Sequence, residues 1–288
     1  KKLRYFARVF EQLKNDMMVR TTDPRHIGPE DIEGFLMWMK QQNFAASTKR
    51  KYLAILNSYL KLWNNSVIPS MKATKGRLTP KRGDHQIRTN TYEEMQAIFD
   101  AADMMKGHRG KIIQGVIALM FGTMTRPKEI IAAEVSDLDL ERNTFFVRHP
   151  KGEGSWGVPQ IIPVIRGDMI PRLESYLEWR RRMCADRRMI SSYLFPKEDG
   201  TVYTLKAIRK MKEEVERISG VRFMLKTLRA TAATMAIAGD VSRLKAVSLQ
   251  LRHASVATTE AYYLAINKTA EIESTLGDTW KNSEIRGQ

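Results

Sequence analysis

Between residues 67 and 90 the helix-period pattern of the chain stops, and this break limits how the rest can pack. Pro69, Gly76, Pro80 and Gly83 alternate there with Lys72, Lys75, Arg77, Lys81, Arg82 and Arg88. So few apolar residues among so many cations and turn formers predict an exposed connector rather than a packed element. Two bodies are therefore expected: residues 1–70, a basic linker over 71–90, and residues 91–288.

The first body reads as a small helical bundle. Tyr5, Phe6, Val9, Phe10 and Leu13 recur at helical spacing. Pro29-Glu30-Asp31 opens a second helix with Ile32, Phe35, Leu36 and Met39 on its apolar face. Ser47-Thr48 is expected to cap a third, which carries Tyr52, Leu53, Ile55, Leu56, Tyr59 and Leu60. Lys49, Arg50, Lys51 and Lys61 fall on polar sides of these helices.

In the second body Thr91-Tyr92-Glu93-Glu94 has the form of a capped helix start, and helix is expected to about residue 134. The period then changes. Thr144 to Val147 and Val158 to Val164 are strand-like around the glycine-rich tip Pro150-Lys151-Gly152-Glu153-Gly154-Ser155-Trp156-Gly157, which predicts a hairpin. Residues 168–279 read as mostly helical again. The fold class is mainly α with a small β component.

Charge narrows the partners. Forty-eight Lys and Arg stand against 32 Asp and Glu, a net +16 with a pI near 9.9. Such a field attracts polyanions, of which DNA and RNA are the usual soluble examples; a ribosome-associated or merely basic protein is the plainer alternative. The linker then reads either as a spacer or as a basic strap along a nucleic-acid backbone. Lys49, Arg50, Lys51, Lys75, Arg77, Lys81 and Arg82 are the candidate DNA-binding residues.

Several classes are set aside. Cys184 is the single cysteine, so no disulfide forms within the chain, and a reducing intracellular setting is expected. Five His without close spacing offer no metal cage. No apolar run approaches the roughly 18 residues a membrane helix needs. No glycine loop of the Walker type is present, and no cofactor is expected. The chain starts with Lys rather than Met and has no signal-peptide core, so the natural chain is expected to begin earlier.

Four separated segments carry the chemistry. Thr123-Met124-Thr125-Arg126-Pro127-Lys128-Glu129-Ile130 sets an Arg and a Glu three apart at a turn into a helix. Lys151 lies at the hairpin tip. Lys226-Thr227-Leu228-Arg229 follows, and then Leu251-Arg252-His253-Ala254-Ser255, with Tyr262 nine residues beyond His253. Singly, each has a duller reading. Arg126 and Glu129 suit a surface ion pair, a lysine in a polar loop is ordinary, and Tyr262 beside Tyr263 suits helix packing.

In this order and spacing the four segments resemble the tyrosine recombinases, or phage-integrase family. That family has Thr-Gly-x-Arg-x-x-Glu, a hairpin Lys, His-x-x-Arg, Leu-Gly-His-x-Ser, and a Tyr nine residues after that His. The resemblance covers the whole chain. It implies a SAM-like helical core-binding domain, a mixed α+β catalytic domain, and a C-shaped clamp of the two around double-stranded DNA.

The function implied is site-specific recombination through a covalent 3′-phosphotyrosyl intermediate, without metal or ATP, in the cytoplasm with the nucleoid. It also implies a homotetramer on two DNA sites, assembled from monomers that are free in solution. Tyr262 rather than Tyr263 becomes the nucleophile. Arg126 and Arg229 hold the non-bridging phosphate oxygens bidentately, His253 adds a hydrogen bond, and Lys151 protonates the departing 5′-hydroxyl. Glu129 becomes an orienting partner for an arginine.

Three positions depart from that pattern. Lys226 stands in place of the His of His-x-x-Arg, as in type IB topoisomerases and some archaeal viral integrases; it serves either as phosphate ligand or, with a depressed pKa, as base. Met124 and Arg252 replace glycines that ease backbone turns, and Arg252 adds a cation near the site. After Tyr262, the apolar series Leu264, Ile266, Ile272, Leu276 and Trp280 docks either on a neighbouring subunit or on its own domain. The rival functions are a type IB topoisomerase and a non-catalytic basic DNA-binding regulator.

Overall fold

The apolar stripe of residues 6–13 is what the first helix buries. α1 (Lys2–Asn15) turns Phe6, Val9, Phe10 and Leu13 inward against α2 (Pro29–Gln41), which contributes Ile32, Phe35 and Met39. α3 (Ala46–Lys61) adds Leu53, Leu56 and Leu60. The structure, a computed structural model, describes residues 2–79, 88–238, 240–253 and 255–260. It divides into two compact units, Lys1–His85 and Gln86–Gln288.

In the first unit a buried carboxylate organises the turn into α2. Asp31 accepts hydrogen bonds from the backbone N–H of Gly28 (2.8 Å) and of Arg20 (2.6 Å), so its charge is met by otherwise orphaned donors. Gly34 lies under the Met18 carbonyl, and a Cβ there would overlap it. Two details differ from the sequence-based expectation. α3 starts one residue before Ser47, and neither Ser47 nor Thr48 makes a capping bond; Ala45 is the cap residue. The connector also starts later than expected, because α4 (Val67–Lys75) forms and buries Ile68 and Met71. Pro69 sits in its first turn, where a missing N–H costs nothing.

The second unit is built around one helix. From Ile112 to Thr123, α6 (Gly107–Thr123) is apolar and buried on nearly every side, with only Gln114 partly exposed, as a central helix must be. α5 (Tyr92–Met104) begins as the sequence predicts: Thr91 Oγ1 accepts from Glu94 N at 3.2 Å, and the Glu94 carboxylate returns to Thr91 N. A break at Met105 and Lys106 separates α5 from α6. α7 (Pro127–Ile131), α8 (Ile170–Asp186), α9 (Leu205–Ser219), α10 (Leu225–Ile237) and α11 (Leu244–Leu251) complete the helices named among the described residues. α9 is amphipathic, burying Ile208, Met211 and Val215 and exposing Lys206, Arg209, Lys210 and Arg217.

The β component is a three-stranded antiparallel meander, β1 (Leu138–Asp139), β2 (Thr144–Val147) and β3 (Gln160–Pro163), in the order β1-β2-β3. Phe145 opposes Ile162, and both face the core. Among the described residues no helix is long and apolar enough to cross a membrane.

Candidate active site

Two helix ends in the second unit form the frame of the site. α6 stops at Thr123, and Met124 takes the left-handed conformation (φ 54°) that reverses the chain into Thr125 and Arg126. α11 stops at Leu251, and Arg252 does the same (φ 53°) just before His253. Both are the positions where the resemblance expects glycine, and both need the backbone region that glycine enters at least cost.

Helix C-termini leave carbonyls without intrahelical partners, and here buried side chains take them. Arg229, on the first turns of α10, donates through NH1 to Met124 O (2.7 Å) and through NH2 to Leu251 O. Gln250 Nε2 donates to Thr123 O and Pro163 O, each at 2.9 Å, which ties α11 to the end of α6 and to β3. Arg229 and Gln250 are both about 8% exposed. The sequence reading named Arg229 but missed Gln250, since no local period encodes contacts 127 and 87 residues away.

Arg126 precedes α7 as its cap residue. Its backbone N–H donates to Glu129 Oε2 (2.7 Å) and its NH1 to Glu129 Oε1 (2.8 Å). Glu129 is 2% exposed and also accepts from Arg252 NH2. Burial alone would raise the Glu129 pKa, but Arg252 and Arg126 outweigh it and hold the carboxyl below its ordinary value. The Arg126–Glu129 contact is thus a partly buried orienting pair rather than an exposed surface one.

His253 Nδ1 lies 2.9 Å from Thr259 Oγ1. Burial, followed by the cations of Arg229, Arg126 and Arg252, pushes its pKa down to about 4, so the imidazole is neutral at physiological pH. Arg126, Lys226, Arg229, His253 and Thr259 line one open cavity of about 290 Å³, whose apolar side is Ala230, Ala233, Ile237 and Leu251. Lys226 is exposed at this wall. Three cations, Arg126, Lys226 and Arg229, thus line the cavity, and a fourth, Arg252, shares the Glu129 carboxylate with Arg126. Such a pocket suits a phosphate: its lining is cationic, and a neutral imidazole can give a hydrogen bond. Among the described residues no three His, Cys, Asp or Glu side chains converge as metal ligands.

Not every expected residue joins this group. Lys151 is absent from the cavity wall; it is exposed at the hairpin tip, with Nζ 5.9 Å from the centroid of the Trp156 ring. Gly152 has φ +87°, and a Cβ there would strike that indole. Tyr262 and the apolar series after it lie outside the described residues, as do Lys81 and Arg82. In the first unit Lys49 and Arg50 are half-buried on α3, and Lys51 and Arg77 are exposed. Lys75, at the end of α4, pairs with Glu33.

The model of the phage integrase family matches residues 88–269. Tyrosine recombinase XerD of Listeria monocytogenes serotype 4b (strain F2365) is 24% identical over 262 residues, covering 90% of this chain and 84% of that protein. Tyrosine recombinase XerC of Herpetosiphon aurantiacus is 22% identical, covering 90% and 83%. The fold is similar to that of XerH site-specific recombinase bound to difH substrate in a pre-cleavage complex (TM-score 0.65, 18% identity, 93% of this chain and 76% of that one). It is also similar to that of the Tn1549 transposon integrase in complex with transposon right end DNA (TM-score 0.64, 16% identity, 96% and 94%).

Proposed function

This chain belongs to the phage integrase family, and from that membership we propose that Tyr262 is the nucleophile by which it cuts and rejoins DNA. It is a tyrosine site-specific recombinase, an enzyme of DNA breakage and rejoining. The observation that carries the mechanism is the shared cavity: residues from three distant segments, Arg126, Lys226 with Arg229, and His253, meet around a space that fits a phosphate.

In the proposed step the Tyr262 phenolate oxygen attacks the scissile phosphorus in line. A phosphorus–oxygen bond to the tyrosine forms, and the bond to the 5′-oxygen breaks. The strand is left as a 3′-phosphotyrosyl ester, and the leaving 5′-oxygen takes a proton from Lys151. Arg126 and Arg229 meet the charge that builds on the non-bridging oxygens, where preorganised donors contribute most. With Nδ1 accepting from the Thr259 hydroxyl, neutral His253 presents Nε2–H as a further donor. Lys226 adds a cation at the same wall. Because the ester conserves the phosphodiester energy, attack by a 5′-hydroxyl reseals the strand without ATP. Lys49, Arg50, Lys51, Lys75, Arg77, Lys81 and Arg82 are assigned to backbone phosphates of the duplex, four protomers to two sites, and the setting to the cytoplasm with its DNA.

Selection of bound duplexes from a random pool supplies the target site. A nicked suicide duplex carrying that site, with EDTA present, is then expected to give a denaturation-resistant protein–DNA adduct. Tyr262→Phe is expected to bind the duplex and give none. Wild type that binds its selected site without forming an adduct contradicts the proposal and favours a regulator. Relaxation of plasmids lacking the site, with no recombinant product, favours the topoisomerase reading.

A further inference from the structure

Arg252 occupies the least favourable position in the site for its residue type. Its backbone is left-handed (φ 53°, ψ 49°), a region that a residue with a Cβ enters at a cost glycine does not meet. Its side chain is only 8% exposed, which costs further unless the charge is matched. NH2 bonds Glu129 and NH1 reaches Gln250 O at 3.4 Å, while the buried Nε finds no acceptor among the described residues. Burial draws the guanidinium pKa down, and Glu129 draws it only part of the way back. Backbone strain and an unbonded buried Nε weigh against arginine here, and its one strong bond is to the buried Glu129 carboxylate.

The arrangement of Glu129 supplies a reason for it. Its carboxylate takes Arg126 NH1 on Oε1, and the Arg126 N–H together with Arg252 NH2 on Oε2. If Arg126 and Glu129 stood alone, they would form a neutral pair, a poor starting point for holding a dianionic transition state. With Arg252 also on the carboxylate the group carries +1. Oε2 is also occupied, so the second arm of Arg126 is not drawn onto Glu129.

We propose that Arg252 is a positioning residue for phosphoryl transfer, balancing Glu129 so that Arg126 meets the scissile phosphate as an uncompensated cation. This rests on the cleavage chemistry proposed above and deepens it. Arg252 does not itself touch the phosphate; it acts through Glu129 and Arg126.

Charge bookkeeping gives the test. The group carries +1 in wild type, 0 in Arg252→Gly, and +1 again in Arg252→Gly/Glu129→Gln. Glycine suits the left-handed backbone, so the single variant is expected to fold, and a thermal melt checks it. In single-turnover adduct formation on the nicked suicide duplex, Arg252→Gly is expected to be about 30-fold slower than wild type. The double variant is expected to be at least fivefold faster than Arg252→Gly, a sign of coupling that independent structural losses cannot produce. Arg252→Lys, which keeps the charge, is expected within about fivefold of wild type.

A second readout needs no DNA. The cations facing His253 are Arg229, Arg126 and Arg252. The His253 imidazole, followed by NMR, is expected to titrate at higher pH in Arg252→Gly than in wild type. Wild type that forms no adduct overturns the cleavage chemistry and this inference with it. Wild type that cleaves while a folded Arg252→Gly cleaves as fast overturns this inference alone. So does a double variant slower than Arg252→Gly, or a His253 midpoint that does not move.

Discussion

His253 is held between one hydroxyl and three guanidiniums, which fixes how it responds to pH. Its folded pKa of about 4 lies below the ordinary imidazole value near 6.5. As pH falls from 6.5 toward 4, protons bind the unfolded chain before they bind the folded one, so the protein loses stability over that window. Above pH 6.5 the group contributes no pH dependence. Denaturant titrations at pH 7 and pH 5 are expected to show a smaller loss in His253→Gln than in wild type. An equal loss would mean that His253 is not held neutral.

The arginines answer to geometry. Arg126→Lys and Arg229→Lys keep the charge but lose the planar fork. Each is expected to slow adduct formation by about 10²–10³-fold, the usual scale for losing one preorganised donor, while affinity for the duplex changes less than tenfold. At this scale the sequence was informative about identity and about local partners only. The order of segments pointed to Arg126, Lys226, Arg229 and His253, and Glu129 read as an arginine's partner. That Arg252 shares the carboxylate across 123 residues could not be read, because a tertiary ion pair leaves no local pattern.

Helix ends are where the elements carry the function. Met124 pays for a left-handed turn, yet its side chain is fully buried. Glycine would relieve about 1–2 kcal/mol of backbone cost and forfeit about 2–5 kcal/mol of core packing. Met124→Gly is therefore expected to destabilise the protein, by about 1–3 kcal/mol in urea titration; a gain in stability would show that packing is the lesser term. Gln250→Leu leaves the carbonyls of Thr123 and Pro163 without this donor. A loss of about 1–3 kcal/mol is expected, chiefly from the buried Thr123 carbonyl, since Pro163 is exposed, together with slower cleavage as α11 and His253 lose their anchor. Equal stability in the two proteins would contradict that.

Elements with strong local signals were legible: the Thr91–Glu94 cap of α5, the apolar run of α6, and the β2–β3 hairpin. Two features were not. α4 is short and hidden among cations, with only Ile68 and Met71 to anchor it. β1 is two residues long, too short for an alternating pattern to register.

Across the whole molecule, family membership spans residues 88–269 and brings Tyr262 within its reach, although Tyr262 lies outside the described residues. The order of the motifs along the chain was legible because it is a property of the sequence. Their convergence was not, because Arg229 and Gln250 achieve it through backbone carbonyls rather than through any motif. The central claim is a covalent bond between DNA and one of two adjacent tyrosines. Trypsin cuts after Arg252 and Lys268, releasing a peptide that contains both Tyr262 and Tyr263. Mass spectrometry of that peptide from the adduct, after nuclease digestion, is the most direct measurement. A nucleotide phosphodiester on Tyr262 is expected, with Tyr263 unmodified. A phosphodiester on Tyr263, or an adduct whose phosphate lies on any other residue, would contradict it.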